Sequence, residues 1–165
     1  MKKKYKVGMF GGKFMPFHKG HLYCLEVASN ECEKVYCIMM HGGLQEQEIY
    51  AGEVPEYLSV ENREKHARQV CSRFSNVIFY SLDAGTCIDE NGEESWDLEM
   101  KLVNDTCGEP FDVIYGSELE YEEPYLKYNR EAKYVVIDLD RKKFPISGTE
   151  IRNMTDMEEI KKWLA

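Results

Sequence analysis

Short apolar runs alternate with amphipathic stretches along this chain, and the connections between them fall into two length classes. Tyr5 to Phe10, Val35 to Met40, Val77 to Leu82, Phe111 to Tyr115 and Tyr134 to Leu139 read as strands, rich in β-branched and aromatic residues. Helical spacing runs from His21 to Cys32, with Leu22, Leu25, Ala28 and Cys32 on one face. A second helix starts from a cap at Ser59 and turns Ala67, Val70, Cys71 and Phe74 inward. Further helices are expected from a Ser95 cap to Val103, around Tyr121 to Asn129, and from a Thr155–Glu158 capping box to Lys162. Helix-to-strand connections are short, such as Glu33-Lys34 and Ser75-Asn76. Strand-to-helix connections are long: Gly11 to Gly20, His41 to Tyr57, Asp83 to Glu94 and Arg141 to Ser147.

Parallel strands require crossover connections, and a run as apolar as Val35 to Met40 is covered on both faces. The expectation is an α/β fold of the Rossmann-like, doubly wound kind, with about five parallel strands and helices on both faces. The long loops then emerge at the carboxyl ends of the strands, where open α/β sheets hold ligands. If strands 1 and 4 flank the point at which strand order reverses, the loops after Phe10 and Tyr115 share one crevice.

With 165 residues the chain is read as one domain, residues 1–165, large enough for a real core. A net charge of −9 argues against nonspecific nucleic-acid binding, so an anionic ligand needs a local basic patch. No apolar stretch approaches membrane-spanning length, and Gly and Lys after the Met1-Lys2-Lys3-Lys4 start break any secretion signal. The six cysteines lack CxxC spacing and sit among apolar residues, as expected of reduced thiols in a cytoplasmic protein. No repeat is present, and a homo-oligomer is compatible with the sequence.

The loop after the first strand carries the chemistry. Gly11-Gly12-Lys13-Phe14-Met15-Pro16-Phe17-His18-Lys19-Gly20-His21 runs from a strand end into a helix start, where unsatisfied N–H groups and a partial positive charge favour anions. Glycines admit a ligand close to the backbone, Lys13 supplies a cation, and His18 and His21 are three apart at the helix entrance. It is not a Walker loop: Gly8 to Lys13 is one residue short, and Phe14 stands where Ser or Thr should bind magnesium.

Gly11-x-Lys13-Phe14-x-Pro16-x-His18-x-Gly20-His21 resembles the GxFxPxHxGH signature of the nucleotidylyltransferase superfamily. Ile146-Ser147-Gly148-Thr149-Glu150-Ile151-Arg152 resembles its second signature, ISxTxIR. The Gly-Lys-Phe variant, Trp96-Asp97 and Tyr115-Gly116-Ser117-Glu118 are similar to the NadR-type nicotinamide-mononucleotide (NMN) adenylyltransferases. The resemblance implies in-line attack of the NMN phosphate on the α-phosphorus of ATP, giving NAD and pyrophosphate, with catalysis by positioning and charge stabilisation. It implies catalytic roles for His18, His21, Lys13 and Arg152, and ATP contacts from Gly11, Gly12, Phe14, Gly20, Gly116, Glu118, Ile146, Ser147 and Thr149. NMN contacts would come from Trp96, Asp97 and Arg63, and magnesium (Mg2+) would ride on phosphate oxygens with few protein ligands.

The cations Lys13, His18, Lys19, His21, Arg141, Lys142, Lys143 and Arg152 lie almost wholly in the two motif loops, which reconciles net −9 with a nucleotide ligand. Trp96 reads equally as a stacking platform or a core anchor, Arg63 as a phosphate contact or a solvated charge, and Glu118 as a ribose contact or a surface carboxylate. His41 and His66 read as structural. The Gly42 to Tyr57 loop has no basic residue for a phosphate. NadR-type proteins often carry a DNA-binding segment and a kinase, which these 165 residues do not accommodate, so neither property is carried over. Nucleotidylyl transfer to another phosphorylated acceptor, and a nucleotide-binding regulatory module without turnover, remain as alternatives.

Overall fold

The computed structural model describes residues 2–49 and 52–165. Five parallel strands form one sheet in the order β3-β2-β1-β4-β5, where β1 is Tyr5–Gly12, β2 Cys32–His41, β3 Val77–Asp83, β4 Val113–Gly116 and β5 Lys133–Val136. Strand order reverses between β1 and β4, which meets the condition for a shared crevice. The pleat sorts the core. Phe10, Val35, Cys37, Met39, Val113 and Tyr115 point to the face covered by α1 (Lys19–Glu31) and α3 (Val60–Cys71). Met9, Tyr36, Ile38 and Ile114 point to the other, covered by α4 (Trp96–Cys107) and α5 (Glu122–Tyr128). Both faces of β2 are dry, with Val35 to Met39 at 5% exposure or less, which explains the unbroken apolar run.

Local signals set several boundaries as read. The Ser59 hydroxyl accepts from Asn62 N (3.2 Å) and that of Ser95 from Leu98 N (3.2 Å), while Gly108, at φ 71°, ends α4 in the left-handed region. Others shift. Cys32 is extended (φ −112°, ψ 146°) and opens β2 directly after α1 instead of closing the helix. The expected loop after β2 contains a short helix, α2 (Leu44–Ile49); its residues Tyr50 and Ala51 lie outside the described residues. The last helix, α7 (Met157–Trp163), is capped by Asp156 rather than Thr155: the Asp156 carboxylate accepts from Glu158 N at 2.9 Å. A carboxylate also answers the positive end of the helix, which a threonine hydroxyl cannot. β5 stops short of Leu139 because Asp138 turns left-handed (φ 53°), its carboxylate accepting from Lys143 N (2.7 Å) and Phe144 N (2.9 Å). None of the described helices is long and apolar enough to cross a membrane.

Candidate active site

The loops after β1 and β4 and the turn into α6 (Gly148–Arg152) enclose a crevice of about 470 Å³ at the switch point. That lies within the range of about 300–1,000 Å³ usual for small-molecule sites. His18 is the N-cap of α1, which starts two residues earlier than the periodicity indicated, and it caps with its own ring. Its Nδ1 accepts from Gly20 N (3.1 Å) and His21 N (3.4 Å), while His21 Nδ1 accepts from His18 N (3.2 Å). The two imidazoles stack with centroids 3.7 Å apart and planes 21° from parallel. A neutral ring that accepts at Nδ1 carries its proton on Nε2. In both rings the proton therefore sits on Nε2, and in His21 a hydrogen bond to the Pro16 backbone already engages the ring. Burial, and secondarily the Arg141 charge, push His18 down to about 4 from its ordinary 6.5. Burial, then His18 and Arg141, lower His21 as well, so both rings are neutral near pH 7. Gly20 separates them because a Cβ there would stand 2.9 Å from the His18 ring.

The pair is braced from behind. Phe14 packs edge-on against His21 (centroids 5.1 Å, planes 79° apart) and Phe17 does the same (5.4 Å, 66°). The Phe14 side chain is 1% exposed, so it holds the histidine instead of offering a ring to a nucleotide, and it tolerates φ 51° to do so. Arg152 spans the two motifs: Nη1 donates to Met15 O (2.8 Å) and Nη2 to Thr149 Oγ1 (3.1 Å). The Ser147 hydroxyl caps α6 at Glu150 N (3.1 Å), and the Ile146 carbonyl accepts from Arg141 Nη1 (2.7 Å). Glu118 is held by Arg141 (3.2 Å), so its carboxylate is already paired within the protein. Gly11, Gly12 and Gly116 line the floor, and a side chain at Gly116 would strike Tyr134.

Lys13, His18, His21, Arg141 and Arg152 therefore converge on one crevice, whereas the exposed Lys19, Lys142 and Lys143 stand outside it. Trp96 lies at the rim, 37% exposed, edge-on to Tyr125 (centroids 5.4 Å). Asp97, its neighbour, faces solvent 4.0 Å from Lys127 and does not line the crevice. His66 is structural as expected, its Nε2 2.8 Å from Ala165 O.

Arg63 corrects both sequence readings. It is 2% exposed and engaged at all three nitrogens: Nε donates to Leu58 O (3.0 Å), Nη1 to Lys13 O (2.8 Å), and Nη2 pairs with the buried Glu46. Helix α3 buries it because its inner face needs a residue long enough to reach the motif loop. Its role is to hold the Lys13 backbone. Replacing Arg63 with Met strands the Glu46 carboxylate in the interior and should cost about 3–5 kcal/mol of stability. Urea denaturation measures this directly, and a loss no larger than that of a surface pair, under about 1 kcal/mol, contradicts the buried pairing.

Several crevice residues escaped the sequence reading. Gln45, from the loop without a basic residue, bonds Lys13 through its side chain and Glu94 Oε1 through its backbone N–H (3.0 Å). Glu99 is the one with a legible signal: it sits three residues after Trp96 on α4, hence on the same helical face. Burial raises its carboxyl, and neighbouring Glu94 adds to the effect. Burial lowers Lys13, against the opposing pull of Glu94, Glu46 and Glu99.

A doubly wound sheet with paired histidines and opposed cations at its switch point defines a nucleotide-handling α/β protein. The Cytidylyltransferase-like family matches residues 9–154, and the chain belongs to it, within the nucleotidylyltransferase superfamily. It is similar to the trifunctional NAD biosynthesis/regulator protein NadR of Escherichia coli, 24% identical over 153 residues covering 92% of this chain and 37% of NadR. It is also similar to the probable nicotinate-nucleotide adenylyltransferase of Borreliella burgdorferi, 23% identical over 90% of this chain and 83% of that protein. The chain thus spans little more than a third of NadR. A crystal structure of NadR in complex with NAD and AMP-PNP shares the fold at TM-score 0.61 and 23% identity, over 98% of this chain and 46% of that one. A bifunctional NMN adenylyltransferase/ADP ribose pyrophosphatase from Francisella tularensis does so at 0.63 and 18%, over 97% and 45%.

Proposed function

We propose that the protein joins NMN to the adenylyl group of ATP, forming NAD and pyrophosphate. The observation that carries this reading is the stacked, neutral His18–His21 pair, fixed by its capping bonds in a crevice that Trp96 borders, with the His18 Nε2–H left as a donor. An NMN phosphate oxygen attacks the α-phosphorus in line; the new P–O bond forms as the α–β bridging P–O bond breaks, and pyrophosphate leaves with the electron pair. A neutral donor aimed at the oxygens where charge grows stabilises that transition state without proton transfer. Lys13 and Arg152 neutralise the phosphates that leave. Among the described residues no three His, Cys, Asp or Glu side chains converge as a metal cage. Magnesium would neutralise phosphate charge while riding on the oxygens of the triphosphate.

The acceptor ring falls to Trp96 and Tyr125, which line the crevice. A flat pyridinium gains from an indole face. Trp96→Ala should raise the KM for NMN by about tenfold while moving the KM for ATP by less than about twofold, as expected for an aromatic contact with a cation. Initial rates at varied concentrations of each substrate check this; equal changes in both constants disfavour the stacking role. The reading itself is tested by incubating the protein with NMN, ATP and Mg2+ and following NAD. No NAD, alongside ready reaction of another phosphorylated acceptor, overturns the substrate and leaves nucleotidylyl transfer to a different acceptor.

A further inference from the structure

The wall of the crevice beside Trp96 is acidic, a feature that phosphate binding does not explain. Glu99 lines it one helical turn from Trp96; its backbone N–H bonds Ser95 O (3.0 Å), and its carboxylate has no hydrogen-bond partner among the described residues. Glu94 lies close enough to raise the Glu99 carboxyl, and it is fixed in place by Gln45 N at 3.0 Å. Glu46 nearby is neutralised by Arg63, and among the described residues Lys13 is the cation that acts on Glu99, leaving this end of the crevice with an excess of negative charge. Tyr125, against which Trp96 packs, also feels the Glu99 charge, which places that carboxylate beside the aromatic platform.

We propose that Glu99, assisted by Glu94, selects the acceptor by its ring substituent, favouring a pyridinium with a neutral carboxamide over one with a carboxylate. This rests on the adenylyltransferase reading above. The pyridinium nitrogen of NMN is quaternary, so its ring end is a net cation. In nicotinate mononucleotide (NaMN) the carboxylate cancels that charge and places a negative group on the ring. Carboxylates in a partly desolvated crevice attract the first and repel the second, because Coulomb interactions there are screened less than in water. The amide N–H groups can also donate to Glu99, whereas a carboxylate substituent only accepts. Discrimination by an unpaired like charge is a general device of specificity.

The test is the ratio of kcat/KM for NMN to that for NaMN, each with ATP and Mg2+, read as dinucleotide formed. A ratio cancels any loss common to both acceptors, including partial unfolding. The unaltered protein should prefer NMN. Glu99→Gln should lower the ratio by about tenfold, Glu94→Gln by less, and the double variant further, as expected for removal of like charges from a polar crevice. Glu99→Asp keeps the charge and should stay nearer the original ratio than Glu99→Gln. Dinucleotide formation with a ratio that moves less than about twofold in the double variant, or a preference for NaMN in the unaltered protein, overturns the assignment of Glu99 and leaves adenylyl transfer intact. Failure of both acceptors to react overturns the underlying reading and this inference with it.

Discussion

His18→Asn is expected to fold like the unaltered protein yet turn over about 10²–10³-fold more slowly, the usual effect of removing one transition-state donor. The choice of asparagine follows from the structure. His18 both caps α1 through Nδ1 and presents Nε2–H to the crevice. Asparagine is a good N-cap, so its side-chain oxygen can take over the bond to Gly20 N, but it has nothing at the Nε2 position. His18→Ala removes both functions and should lose a further ~1 kcal/mol of stability. Thermal unfolding and single-turnover rates of the two variants separate the roles. Turnover of His18→Asn within a few-fold of the original removes the histidine from the chemistry.

Arg152→Lys should lower kcat/KM for ATP by about tenfold to a hundredfold, the size expected for losing a charge-assisted hydrogen bond. Lysine keeps the charge but not the fork that ties Met15 O to Thr149 Oγ1. Those two bonds hold the motif loops together, so the variant loosens the crevice as well as its grip on phosphate. The KM for NMN should move less, because the acceptor platform at Trp96 lies on α4. Kinetics indistinguishable from the original protein show that α6 does not clasp the triphosphate.

Much of the fold was legible because it follows from local rules. The period-two and helical patterns assigned the strands and covering helices. The Ser59 and Ser95 hydroxyls bond within three residues of themselves, so sequence alone could place them. The inequality of loop lengths put the two motifs at one end of the sheet, and the crevice forms there. Where two local signals competed the reading slipped by a residue: Thr155 and Asp156 are both caps by type, and the carboxylate took the position.

The sequence by itself determined the sheet, the face that holds the ligand, and the gathering of Lys13, His18 and His21 in one loop, because each depends on periodicity or on neighbours a few residues away; Arg152 joined them only through the resemblance of its motif. Tertiary structure decided how those groups are used. The neutral state of the histidines arises from burial and from the Arg141 charge, which comes from a turn 120 residues further along the chain than His21. Arg63 passed from a candidate phosphate ligand to a buried brace because Glu46 and the Lys13 carbonyl, 50 residues away from it, were placed against α3. The acidic wall at Glu94 and Glu99 has the same origin. A residue's type sets its charge, but the partner that cancels that charge or leaves it standing is chosen by packing between distant segments, which no local pattern encodes.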